Sequence, residues 1–169
     1  MKQHYDSWGA PIQLAPLRYV SKSGLELKYA TPGSAGLDLP YWDPMMDKLT
    51  IYPGFRAKMP TGVHVEIPEG YVGQIDSRSS TSKLLLQLLC HTVDCDYRGE
   101  ISLVFANVGK EPVTVKRGEF YAQILIVPVE QVDPQMVDSV EELTQTERGD
   151  GSFGSTTNKK DGGIPNVQY

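Results

Sequence analysis

Apolar residues recur at every second position in several short runs closed by Gly or Pro, the period of strands that bury one face. Val63, Val65 and Ile67 alternate with His64 and Glu66, and Pro68-Glu69-Gly70 closes that run with turn-forming residues. Tyr71 to Ile75 reads as the return strand. Ile101, Leu103 and Phe105 alternate in the same way, Asn107 to Gly109 turns the chain, and Val113 with Val115 opens a strand ending at Arg117-Gly118-Glu119. Tyr121 to Val129 is an apolar run that predicts a buried strand. Only two stretches have helical potential. Thr81 to Leu89 predicts one helical turn followed by a strand, and Val132 to Leu143, with Asp133-Pro134 as cap and first turn, predicts a short helix or a strand. The chain is therefore expected to be all-β, with at most one or two short helices.

Composition agrees: 16 Gly and 12 Pro in 169 residues favour turns over long helices. Sixteen Lys and Arg against 21 Asp and Glu leave a net charge of −5, which argues against gripping nucleic acid or an anionic membrane through overall charge. Any polyanion must meet a local basic site. No apolar run approaches the roughly 18 residues of a membrane span, and Met1 to Trp8 lacks the apolar core of a signal peptide. Cys90 and Cys95 form neither a disulfide framework nor a zinc pattern and read as reduced thiols of a cytoplasmic protein. The ends are too polar to order themselves. Residues 1–13 are expected to be an extension, residues 14–143 the β domain, and residues 144–169 a flexible arm.

Four segments carry chemistry. Asp94-Cys95-Asp96-Tyr97-Arg98-Gly99-Glu100 crowds ionisable groups just before a strand. If extended, it would place Asp94, Asp96 and Arg98 on one face, where a carboxylate could act as general base on water. The plainer alternative is a solvated turn with an Asp–Arg pair. Ser77-Arg78-Ser79-Ser80-Thr81 joins one guanidinium to several hydroxyls at a strand end, a set suited to phosphate oxygens, although Ser-rich turns are commonly structural. Asp38, inside the strand-like Ala35-Gly36-Leu37-Asp38-Leu39, needs a backbone donor, an Arg or a metal-bound water as partner. The tail segment Arg148 to Thr157 sets one cation and the Phe153 ring among glycines. His4, His64 and His91 show no ligand spacing and are assigned no function.

The order and spacing of these segments are more specific than any one of them. Ala35-Gly-Leu-Asp-Leu39, Pro60-Thr-Gly62 leading to Arg78-Ser-Ser80, Val93-Asp-Cys-Asp-Tyr-Arg-Gly-Glu100, Arg117-Gly-Glu-Phe-Tyr-Ala-Gln123 and Arg148-Gly-Asp-Gly-Ser-Phe-Gly-Ser-Thr156 closely resemble the five motifs of the trimeric deoxyuridine triphosphatase family. The resemblance implies a distorted jelly-roll-like β-barrel and a homotrimer whose active sites draw motifs from all three chains. It implies hydrolysis of dUTP to dUMP and pyrophosphate with Mg²⁺, a reaction that limits uracil in DNA and supplies dUMP for dTTP synthesis.

Residue by residue, the resemblance implies that Asp94 activates the attacking water and that Tyr97 lies under the deoxyribose. Asp38 would hold metal-bound water. Arg78, Ser79 and Ser80 would bind the phosphates, and Gln123 would help hold the site. Arg148 would reach the terminal phosphate, while Phe153, with Gly154 and Ser155, would close over the uracil. The chain departs from the family in Lys83 to Thr92, which is leucine-rich, a few residues short, and has Cys90-His91-Thr92 where a Gly is usual. Two alternatives are weighed: a dCTP deaminase-like enzyme of the same fold, which would need a Glu in Ile101 to Phe105, and a nucleotide-sensing β-trimer.

Overall fold

The computed structural model describes residues 4–5, 11–12, 16–147 and 149–150. The chain divides into two compact units, Met1–Gln131 and Val132–Tyr169. In the first unit short antiparallel strands form several small sheets. The largest orders β10 (Thr92–Val93), β8 (Tyr71–Ser77), β13 (Phe120–Pro128) and β4 (Leu37–Pro40). A second orders β6 (Arg56–Pro60), β11 (Ser102–Asn107) and β9 (Leu86–Leu88). Three pairs complete the unit: β5 (Lys48–Ile51) with β12 (Val113–Lys116), β3 (Arg18–Ser21) with β7 (Val63–Glu66), and β1 (His4–Tyr5) with β2 (Pro11–Ile12). Between β8 and β9 lies the helical turn α1 (Ser79–Ser82).

Alternation produces this arrangement directly. Val63, Val65 and Ile67 point into one core with Leu103, Phe105, Ile75 and Ile124, while His64 and Glu66 face outward. Burying such side chains contributes about 1.5–3 kcal/mol each, more than any surface ion pair of this chain can supply. The buried Thr61 and Asn107 are matched. Thr61 donates to the Ile101 carbonyl at 2.7 Å, and Asn107 Nδ2 donates to the carbonyls of Ile51 and Glu111, both at 2.8 Å. Gly62 has φ of +69°, and a Cβ there would lie 2.7 Å from Trp42 Cδ1, so only glycine fits.

Four local expectations change. The Pro68–Gly70 turn forms, with the Tyr71 N–H on the Pro68 carbonyl at 3.2 Å, but β8 does not return along β7. β7 pairs β3 and β8 pairs β10 and β13, so the turn carries the chain from one sheet to another. The segment before β11 is not extended: the Tyr97 N–H meets the Asp94 carbonyl at 3.1 Å, a tight turn. β13 is buried only through Tyr121, Ala122 and Ile124, and its later residues are partly exposed in the single chain. In the second unit, Val132 to Leu143 gives a single 3₁₀ turn at Val140–Glu142 instead of the expected helix or strand, because none of its side chains is buried. One helical turn followed by a strand does occur at α1 and β9, as expected.

Candidate active site

β4, β13 and β8 lie side by side in one sheet, so their registers align a polar row. Gln123 stands opposite Asp38 on one flank and Asp76 on the other. Gly36 makes room for it, since a Cβ there would lie 2.9 Å from Gln123 Oε1. Directly after β8, Arg78 Nε sits 3.3 Å from Asp38 Oδ1, its Nη1 donates to the Phe120 carbonyl at 3.3 Å, and its guanidinium lies over the Phe120 ring at 5.9 Å. Of the three partners open to Asp38, the structure provides the Arg. Asp38 is only 14% exposed at its side chain, and burying this carboxylate would be costly without the paired cation. The Ser79 and Ser80 side chains are exposed beside Arg78.

A second group forms on the loop before β11. Asp94 is exposed, and among the described residues no side chain binds its carboxylate. The Tyr97 hydroxyl donates to the Glu100 carbonyl at 3.0 Å, and its ring covers Gly99, where a Cβ would collide with Tyr97 Oη and Cζ. Arg98 forms no Asp–Arg pair: its Nη1 donates to the carbonyls of Cys95 at 2.6 Å and Tyr97 at 3.0 Å. A guanidinium with a fixed fork can close a turn on carbonyls that point to one side. A cleft of about 190 Å³ opens here, lined by Asp94, Tyr97, Cys90, Thr92, Lys58 and Ser102 among others. None of Asp38, Arg78, Ser79, Ser80 or Gln123 lines it. The single chain thus carries two partial sites, and Arg148, Phe153, Gly154 and Ser155 lie outside the described residues.

Sequence reasoning passed over several residues here. His64 Nδ1 lies 3.0 Å from the Arg98 carbonyl, and because a carbonyl can only accept, that nitrogen carries the proton and ties the Asp94 loop to β7. Glu100 adds a second tie by accepting the Gly62 N–H at 2.9 Å. His91 ties the chain just before β10 to the Ile75 carbonyl on β8 at 3.1 Å. Asp76 had a legible signal, since Gln74 and Asp76 alternate with the buried Gly73 and Ile75 immediately before Arg78.

A family model described as dUTPase matches residues 24–157. The chain belongs to the dUTPase family. Deoxyuridine 5'-triphosphate nucleotidohydrolase of Anaplasma marginale is 45% identical over 149 residues, covering 86% of this chain and 98% of that protein. The enzyme of that name from Chlamydia trachomatis is 42% identical over 139 residues, covering 80% and 93%. Among solved structures, a variant dUTPase of Staphylococcus bacteriophage 80alpha with dUpNHpp superposes with a TM-score of 0.73 at 25% identity, covering 84% of this chain and 98% of that one. The dUTPase of phage phi11, described with a structural Mg(II) ion, shares the fold at a TM-score of 0.66 and 22% identity. The dUTPase match spans both partial sites, from before Asp38 to beyond Arg148.

Proposed function

We propose that the chain hydrolyses dUTP to dUMP and pyrophosphate. The observation that carries this reading is an exposed Asp94, unpaired among the described residues, in a tight turn beside Tyr97, on a chain whose other polar group, Arg78 with Ser79 and Ser80, is suited to phosphate. Asp94 accepts a proton from water, whose oxygen bonds the α-phosphorus as the bond to the bridging oxygen breaks and pyrophosphate leaves. Arg78 Nη2 remains free among the described residues to donate to phosphate oxygens, Ser79 and Ser80 add hydroxyl donors, and Gln123 braces the row. Tyr97 lies against the sugar and disfavours a 2′-hydroxyl. Arg148 reaches the terminal phosphate, and Phe153, Gly154 and Ser155 close over the base, in the arm at residues 144–169.

The donor set fits a magnesium ion carried by the substrate. No cluster of three His, Cys, Asp or Glu exists among the described residues to cage a metal, yet phosphates placed on Arg78 come close to the Asp38 carboxylate. Asp38 would hold Mg²⁺ through water, which would relieve the conflict between its carboxylate and the phosphates. Mg²⁺ would supply charge neutralisation at the phosphates.

Two partial sites on one chain, and a β13 left partly exposed, support a homotrimer with shared sites. Free thiols at Cys90 and Cys95 support the cytoplasm of a cell or of a virus-infected host, and no helix is long and apolar enough to cross a membrane among the described residues. A nucleotide panel with Mg²⁺ tests the reading: dUTP is expected to release pyrophosphate. Ammonia release from dCTP would favour the deaminase instead, although β11, Ser-Leu-Val-Phe-Ala-Asn, holds no carboxylate for it. Binding without turnover would favour the sensor.

A further inference from the structure

The turn bearing Arg78, Ser79 and Ser80 closes on itself only through its backbone, with the Thr81 and Ser82 N–H groups on the Arg78 carbonyl at 2.9 and 3.2 Å. Its helix is four residues long, and Arg78 at its start makes no side-chain capping bond. What fixes it against the sheet is a bulge in the neighbouring strand. Phe120 pairs Pro40 and Ala122 pairs Leu39, so Tyr121 is an extra residue on β13. A bulge releases a backbone group from the ladder and re-aims it. Here the Tyr121 carbonyl accepts both the Arg78 N–H at 3.2 Å and the Thr81 hydroxyl at 2.7 Å. The Phe120 carbonyl and ring hold the Arg78 guanidinium from the same strand.

The bulge is itself pinned. The Tyr121 ring is buried, its hydroxyl donates to Glu119 Oε2 at 2.7 Å and accepts the Lys116 N–H at 2.9 Å. Burial first, and then the bond to Glu119, push this phenol up to about 12, so it stays a donor beyond the pH at which an ordinary phenol ionises. Thr81 is 1% exposed, which puts its bond to the Tyr121 carbonyl beyond competition from water.

We infer that Thr81 and Phe120 are positioning residues for triphosphate recognition, which act through the β13 bulge to set where the Arg78 fork and the Ser79 and Ser80 hydroxyls stand. The inference rests on the proposed phosphate role of that turn. Neither residue is asked to touch the nucleotide.

The test uses the full chain and the ratio of affinities for a non-hydrolysable dUTP analogue and for deoxyuridine, the latter read as a competitive inhibitor. Thr81→Val, which keeps shape and removes the hydroxyl, is expected to lower that ratio about tenfold. Phe120→Leu should lower it about threefold, and Thr81→Ser should restore it. KM for dUTP should rise more than kcat falls. A Thr81→Val protein with an unchanged ratio, or one weakened equally toward both ligands, overturns the inference, as does a Thr81→Ser protein that behaves like Thr81→Val. If Thr81→Val does not fold, the ratio in Phe120→Leu decides. Arg78→Gln separates the two levels of argument. If Arg78→Gln keeps the wild-type ratio, the phosphate role of the turn falls; if only Arg78→Gln lowers it, the positioning role alone falls.

Discussion

The Arg78 turn and the Asp94 loop carry the two halves of the same proposed chemistry but are held in different ways. Arg78 stands at the end of a strand in the largest sheet, against a carboxylate on β4 and a carbonyl and ring on β13. Asp94 stands on an exposed loop held by its own Arg98, by His64 and by Glu100. A cation that must meet a highly charged ligand gains from rigid placement and a paired counter-charge, since its fork is oriented before the ligand arrives. A carboxylate that must take a proton from water gains from exposure and from having no paired cation, which would lower its basicity.

Removing the proton acceptor should give the largest effect. Asp94→Asn is expected to lower turnover about 10³-fold while a dUTP analogue still binds, followed by pyrophosphate release and calorimetry. Near-normal turnover would take the base away from this loop. Arg78→Gln should cost about 10–100-fold in analogue affinity and leave deoxyuridine affinity alone. Mixing the two inactive variants sharpens the contrast. If each site joins Asp94 of one subunit to Arg78 of another, randomly mixed trimers recover about a quarter of wild-type activity. Zero recovery from verified mixed trimers would put both groups in one chain's site.

His64→Leu should reduce kcat up to about tenfold and weaken the analogue and deoxyuridine equally, through Tyr97, leaving the ratio of the two affinities unchanged, because it loosens only the Asp94 side. A fall in that ratio would show that the two regions are not independently supported. On the Arg78 side, the raised Tyr121 phenol sets an alkaline limit. Folded pKa about 12 against the ordinary 10 means this contribution is complete below pH 10 and lost as pH rises toward 12. A stability loss of about 2 kcal/mol across that window is expected, and Tyr121→Phe should flatten it in urea melts. The smallest effect is expected at Leu85, whose φ of +55° no other non-glycine residue shares among the described residues. Leu85→Gly should raise stability by about 0.5–1 kcal/mol, read as the unfolding midpoint; a lower midpoint would mean that Leu85 packing outweighs its backbone strain.

Much of the fold was legible because strand burial follows local alternation: the expected runs correspond to the strands Val63–Glu66, Ser102–Asn107 and Val113–Lys116, with Val63, Val65, Leu103, Phe105 and Val115 inward as anticipated. Partner choice was not. A Pro-Glu-Gly turn reads the same whether the chain doubles back or crosses to another sheet, so the separation of β7 from β8 was invisible locally. Asp94 and Arg78 stood out by composition, as did Tyr97 and Gln123 by resemblance. The contacts that hold them did not, since an Asp and an Arg on different strands become partners only through register.

By itself the sequence determined that the segments of β7, β8, β9, β11, β12 and β13 would hold strands, which residues could carry charge and proton transfer, and the family whose motif order they follow. Residue type and local period suffice for those. Tertiary structure decided that Asp38 pairs Arg78, that the bulge at Tyr121 carries the Arg78 turn, and that Arg98 closes its own loop on carbonyls instead of meeting an Asp. Each of those depends on which backbone groups are left over once the sheets are paired, a quantity that exists only when the whole chain is folded.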